Sequence, residues 1–327
     1  MANRVRNFMV FLIISCAAVL LVAAVPVFTF FWAIIWGAIF ILSALYIEKK
    51  QLFVVFILNI LILYLTVGIA DLAFFMATVG AAVLVMAYMT KEHKGYYKIQ
   101  KYGFFTVALS VSLFLGFLYL SSGDIGIKDV ENDFKVYLEK SLRTYEESGF
   151  FDLYEKEGIT REKIEKDFLK ISKEVARHLP AFYFLQAIMV VFFSLLLASL
   201  TSMKRGMEGL EKKPFAEEIM PWQLVWLVIL GLIMILTGEK DGSTAYLYYA
   251  GSNVLAVMFP ITIYYGTAAL AYRLQNMSAS SRRWFIVFII IMTLLFSLSV
   301  LVFLGLVGIF DSLLDYRKIN KSEEDLR

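Results

Sequence analysis

Six positions inside apolar stretches carry most of the chemistry this sequence offers: Asn59, Gln186, Asn253, Tyr264, Thr267 and the helix-disturbing Pro260. Amides, a phenol and a hydroxyl recognise a ligand by hydrogen bonding. They do not supply the acid–base pair, activated nucleophile or metal ligand set that catalysis requires. In NVLAVMFPITIYYGTAALAYRL (Asn253 to Leu274), Asn253, Val257, Pro260, Tyr264 and Thr267 recur at steps of three or four, so they share one face of a helix. Pro260 has no N–H to offer the carbonyl of Ala256 and is expected to kink the helix there. A kinked face with an amide, a freed carbonyl, a phenol and a hydroxyl suits a midplane solute site in a discontinuous transporter helix. The same groups also glue helices together. The sequence leaves both readings open, and it places Asn59 and Gln186 among the candidates for the same ligand site.

Enzymatic chemistry is not expected. Two histidines (His93, His178) and one cysteine (Cys16) form no cluster with zinc spacing. No phosphate loop, zinc-protease helix or serine elbow occurs. No cofactor or metal is implied, and a lone cysteine excludes an internal disulfide. Arg4 and Arg6 ahead of Ile13-Ile14-Ser15-Cys16 imitate a lipoprotein signal, but Cys16 leads into AAVLLVAAV and another apolar run. An uncleaved first helix is the expectation. Thr293 and Ser297, four apart on the last run, are weaker hydroxyl partners because hydroxyls bond back to their own helix.

Those side chains need elements to carry them, and composition dictates which. The chain of 327 residues is 60% hydrophobic and only 18% charged. Soluble domains hold about half apolar residues, whereas a helix crossing a ~30 Å hydrocarbon core needs roughly 20 in a row. The fold class is therefore all-α, a polytopic helical membrane protein of about nine spans, or eight if one hairpin is re-entrant. Apolar runs lie near 8–25, 27–47, 52–70, 72–89, 102–121, 181–200, 222–238, 244–272 and 284–309, with Asp71 marking a turn. The organisation is an N-terminal membrane bundle over 1–121, an extracytoplasmic insert over 122–179, a C-terminal bundle over 180–310 and a polar tail over 311–327.

Positive charge orients the bundle. Lysines and arginines crowd one set of loops, as at Lys49-Lys50, 91–101, 204–213 and Arg282-Arg283, while Lys240 is alone in the short turns opposite. The N-terminus is thus cytoplasmic. An odd number of spans puts the tail outside, where its mixed charges do not decide the matter. Trp222 and Trp284 at one set of span ends, and Tyr246, Tyr248 and Tyr249 at the other, read as interfacial anchors. Ala33 with Gly37, and the ladder Ala73, Ala77, Ala81, read as close-packing seams.

The insert is polar but striped. Ile164, Phe168, Ile171, Val175 and Leu179 recur at helical spacing behind Thr160, a candidate N-cap, and Phe134, Leu138, Leu142 and Tyr145 repeat the pattern before a break at Ser148-Gly149. Two helices with one apolar face each must pack together or lie on the membrane. The insert is either a lid or docking surface, or a structured connector.

The run HLPAFYFLQAIMVVFFSLLLASLTSMKRG, then PFAEEIMPWQLVW, then Asn253 through Gly266, then FLGLVGIFDSLLDYRK resembles the YybS-like family of bacterial multi-pass membrane proteins, whose domain has no known function. The likeness covers about residues 178 to 318. It implies a bacterial cytoplasmic membrane location and, through the family's similarity to substrate-binding components of energy-coupling-factor transporters, a small solute as ligand and an energising partner protein. Two roles follow: a solute-binding or transport component without its own ATPase, or a non-transporting scaffold or sensor that binds proteins through its insert and cytoplasmic loops. Lipid is a partner in either case, and nucleic acid in neither.

Overall fold

A computed structural model describes residues 2–123, 125–148, 160–207 and 209–317, and among these the regular structure is helical throughout. Gly149 of the expected break and the tail beyond Arg317 lie outside the described residues. Contacts divide the chain into two compact units, Met1–Lys212 and Lys213–Arg327. The boundary falls later than residue 179, because the helix Leu179–Lys204 packs with the N-terminal helices.

Unit 1 contains α1 (Ala2–Ala24), α2 (Thr29–Tyr46), α3 (Lys49–Phe75), α4 (Ala81–Lys91), α5 (Tyr96–Ser122), α6 (Ile127–Glu147), α7 (Arg161–Arg177) and α8 (Leu179–Lys204). Its core forms around α2, which packs on α1, α4 and α8 and buries Trp36, Phe40, Ile41 and Ala44 completely. The Ala33–Gly37 seam faces α8. A Cβ on Gly37 would lie 2.4 Å from the Ser194 hydroxyl, and that hydroxyl donates to the carbonyl of Ile34 at 3.1 Å. Close backbones, rather than a hydrophobic drive that lipid would cancel, hold the pair.

The apolar stretch Lys49–Lys91 is 43 residues long, roughly 65 Å of helix and twice a hydrocarbon core. It is broken at Gly68 (φ 84°, ψ −179°), a conformation that only glycine adopts cheaply. The expected turn at Asp71 is thus corrected to Gly68. Asp71 sits exposed just past the break, where a helix start favours an acid. A π-helical turn over Met76–Gly80 then rotates the following face. The expected alanine ladder is displaced for that reason: Ala73 is exposed, while Thr78, Val79, Ala82, Val83 and Met86 are buried. The Ser110 hydroxyl of α5 donates to the carbonyl of Ala77 at 2.5 Å, inside the widened turn.

The insert helices α6 and α7 pack antiparallel: Phe134 meets Phe168 at 5.8 Å between ring centroids, and Arg161 pairs with Glu146 at the other end. Thr160 caps α7 as its position implied, accepting from the N–H of Lys163 at 3.3 Å. The expected stripe is rotated, since Ile171 is 62% exposed while Ser172 and Ala176 are buried.

Unit 2 contains α9 (Gln223–Thr237), α10 (Ala245–Gln275), α11 (Ala279–Leu295) and α12 (Ser297–Leu314), preceded by a 3-10 turn at Phe215–Glu217. Glycines set its spacing. A Cβ on Gly251 would lie 2.6 Å from the carbonyl oxygen of Gly231, one on Gly266 would lie 1.8 Å from that of Leu304, and one on Gly308 2.2 Å from that of Thr262. Backbone therefore meets backbone along α9–α10 and α10–α12.

The expected single span over 284–309 is two helices, parted at Phe296 (φ −137°, ψ 49°). Thr262 faces Gly305 and Gly308, and Tyr272 faces Arg317, so α10 and α12 run parallel. Parallel neighbours in a bilayer need a crossing between them. Residue 297 lies level with about residue 254, roughly 30 Å back from the end of α10, and the 17 residues of α11 supply about 25 Å. The short linker covers the remainder only if α11 runs straight back. Arg317 bonds to the 214–220 loop, so the start of the tail lies on that loop's side of the membrane, not the opposite one. Among the described residues seven helical stretches are long and apolar enough to span, with Lys49–Lys91 taken as one, and α9 and α11 are shorter.

In a Cys16→Ser background, Tyr316→Cys and Glu217→Cys should react with a membrane-impermeant maleimide from one side, and Asp241→Cys from the other. Labelling of Tyr316→Cys together with Asp241→Cys would refute the parallel arrangement.

Candidate functional site

The residues nominated by sequence fall in both units, with Asn59 and Gln186 in unit 1 and Asn253, Tyr264 and Thr267 in unit 2. Asn59 on α3 is completely buried. Its amide donates to Ser15 of α1 at 3.1 Å and to the carbonyl of Val55 at 2.6 Å, and its oxygen accepts from the Trp36 indole of α2 at 3.1 Å. Three helices are thereby tied at one carboxamide, with both its N–H groups in use. Gln186 is half-buried on α8 with no hydrogen bond to the described residues.

In unit 2 the helix runs unbroken through Pro260, whose ring is exposed. The inward seam of α10 is formed by Gly251, Met258, Thr262 and Gly266, while Ala268, also buried, falls on the side of Tyr264. Asn253, Pro260 and Tyr264 each stand two residues beyond a seam position, about 200° round the helix. Asn253 donates to its own helix at Tyr249, 2.7 Å away, and Thr267 does the same at Ile263, 2.8 Å away. Tyr264 reaches another element. It donates to the Glu218 carboxylate, and its ring stands edge-on to Phe215 at 5.2 Å.

Glu218 leads to residues that the sequence reading passed over. At the end of α12, Asp315 adopts a left-handed conformation (φ 42°) and turns the chain back. Arg317 then grips the Asp311 carboxylate through Nε at 3.1 and 3.0 Å and Nη2 at 2.5 Å. Its remaining donors reach the carbonyls of Ala216 and, at 2.6 Å, Glu218, while Ser312 donates to the carbonyl of Met220 at 2.8 Å. The ion pair is almost sealed, its side chains 5% and 3% exposed. A loop without a ladder has buried carbonyls that need donors, and one planar guanidinium supplies several at once. The signal was present. Asp311 ends an apolar helix, where desolvation and the helix dipole both disfavour an acid, so a nearby cation was required.

An open cavity lies elsewhere, in the insert. A cleft of about 530 Å³ between α6 and α7 has Leu138, Leu142 and Leu169 as its floor. Lys135, Arg143 and Arg161 line it together with Glu139, Glu146 and Glu165. Arg161 is paired with Glu146, and Arg143 turns to Glu147 at 3.1 Å. Lys135, Glu139 and Glu165 form no ion pair among the described residues. The lining is more polar than apolar: Leu138 and Leu142 are almost fully buried, Leu169 is half-buried, and among the described residues one ammonium and two carboxylates have no ion pair. No group of histidine, cysteine and acidic residues among the described ones could hold a metal.

A family model described as predicted membrane protein (DUF2232) matches residues 12–312. No curated protein and no solved structure matches the chain.

Arg317→Ala should cost about 3–5 kcal/mol by stranding Asp311 in a sealed site, seen as a lowered thermal midpoint and faster proteolysis within 213–222. Arg317→Lys should recover little of it, since one ammonium cannot reproduce the fork. Asn59→Leu should destabilise by roughly 1–3 kcal/mol. Adding Trp36→Phe should cost less than its own single effect, because the orphaned indole donor is removed as well; strict additivity would contradict the shared hydrogen bond.

Proposed function

The chain belongs to the DUF2232 family of predicted membrane proteins, and from that premise we propose that it is a membrane-embedded solute-binding component that takes its ligand in the cleft of the insert. The cleft carries the reading. Its ~530 Å³ is the size of small-molecule sites, and its uncommitted charges of both signs lie over leucines. A small zwitterion suits that arrangement: its ammonium opposite Glu139 and Glu165, its carboxylate opposite Lys135, and a short apolar part against the half-buried Leu169. With the N-terminus cytoplasmic, as the basic loops favour, the cleft opens on the outer face of a bacterial cytoplasmic membrane.

The likeness to YybS-like proteins, and through them to substrate-binding components of energy-coupling-factor transporters, supports a small solute and an energising partner rather than a built-in motor. No catalytic step belongs to this reading. A second one, the scaffold or sensor that binds proteins, is favoured by Asn59: a carboxamide spent wholly on Ser15, Trp36 and Val55 is structural and leaves nothing for a transported solute.

Thermal unfolding in detergent against zwitterionic amino acids, short peptides and vitamins separates the alternatives. A ligand at a hundred times its Kd should stabilise by about 2.7 kcal/mol. The shift should vanish in Glu139→Lys/Glu165→Lys and survive in Asn253→Leu. Loss in Asn253→Leu alone would move the site into the membrane. No shift with any compound, alongside one defined adduct from a photo-crosslinker at position 135, would favour the scaffold.

A further inference from the structure

One end of unit 1 is strongly and unevenly charged. The segments 4–6, 48–50 and 91–101 hold eight lysines and arginines but only two acids. Both acids are spent: Glu48 accepts from Arg4 at 2.8 Å, and Glu92 pairs with Lys49. These pairs also show that the segments are neighbours, since the first ties the start of α1 to that of α3 and the second ties α3 to the end of α4. The turn after α4 leads directly into α5. Lys49 holds the Glu92 carboxyl below the usual carboxylate range by direct hydrogen bonding, so this acid stays ionised and stays occupied. Arg6, Lys50, Lys91, Lys94, Lys98 and Lys101 remain without an ion pair among the described residues, and all but Lys91 are exposed.

The sign of this charge opposes the helices that carry it. α3 opens on an acid, Glu48, whose side chain accepts from the Gln51 N–H, but α5 opens on Gly95 and has no acid in its first turn. The first N–H groups of α5 already present positive potential, and the exposed Lys98 in its first turn adds to it. Anions from outside the chain are needed to offset that field. The cations stand where bilayer-length apolar helices begin, and Tyr97 and Tyr102 stand exposed among them, phenols of the kind that settle at headgroup depth. Anions at that depth are lipid phosphates.

We propose that this face binds anionic phospholipid headgroups in preference to zwitterionic ones, with Lys94, Lys98 and Lys101 as the principal contacts. A phosphatidylcholine headgroup brings its own ammonium into the same field and gains little; a phosphatidylglycerol headgroup brings a net negative charge. The surface is independent of the cleft in the insert.

Native mass spectrometry of the full chain, titrated with phosphatidylglycerol and phosphatidylcholine of matched acyl chains, tests this. Phosphatidylglycerol should bind at least about ten-fold more tightly, and each of Lys94→Gln, Lys98→Gln and Lys101→Gln should weaken it roughly five-fold while leaving phosphatidylcholine unaffected. The thermal midpoint of each variant should hold or rise as like charges are relieved. If one of the three variants does not fold, the other two still report the ratio between the two lipids. Equal affinity for the two lipids, an unchanged ratio in the variants, or displacement of phosphatidylglycerol by millimolar inorganic phosphate would each overturn the proposal.

Discussion

Hydrocarbon offers no hydrogen bonds, so every polar group placed in it must find a partner in the protein. That constraint governs this molecule more than any other. It explains why Asn59 is tied to three helices rather than turned to a cavity, and why Ser194 reaches across to Ile34. It explains also why the widened turn at Met76–Gly80 has a hydroxyl from α5 lodged against its carbonyl. A hydroxyl can also satisfy itself locally, as Thr267 does by bonding its own helix at Ile263.

The same constraint sets the geometry of unit 2. Lipid does not drive apolar helices together as water does, so contact is gained by bringing backbones close. Glycines at 231, 251, 266 and 308 permit that approach, and they fix α12 parallel to α10. The tail is thereby delivered to the 214–220 loop, where Arg317 and Ser312 supply donors to the carbonyls of Ala216, Glu218 and Met220. The Asp311–Arg317 pair closes that end, and Tyr264 and Glu218 join the same fastening. Three of the stretches that carried the resemblance, at PFAEEIMPW, at Tyr264 to Gly266 and at Asp311 to Arg317, meet in space here. What they build is a fastening rather than an open site.

Much of the architecture was legible in the sequence because hydropathy reports on solvent directly. The helical membrane fold, the Ala33–Gly37 seam and the cap at Thr160 follow from local pattern alone. The missed features depend on distant partners or on backbone shape. Gly68 turns the chain three residues before Asp71, because a left-handed φ is invisible to hydropathy. The π turn shifts the alanine ladder by rotating everything after it. The break at Phe296 sits in an unbroken apolar run, and only the pairing of α10 with α12 shows that the chain doubles back. At the nominated site, spacing placed Asn253 and Tyr264 on one face correctly, but it could not say that glycines would claim the opposite, inward one.

The central claim is that the carboxamide of Asn59 is dry and fully engaged. Hydrogen exchange at the indole N–H of Trp36, followed by NMR after transfer to heavy water, measures this directly. A hydrogen bond locked inside three packed helices predicts a Trp36 signal that persists for hours while those of the exposed Trp222 and Trp284 disappear within the dead time. A Trp36 signal that fades as fast as theirs would mean that water reaches Asn59, and the carboxamide would then belong to an open cavity.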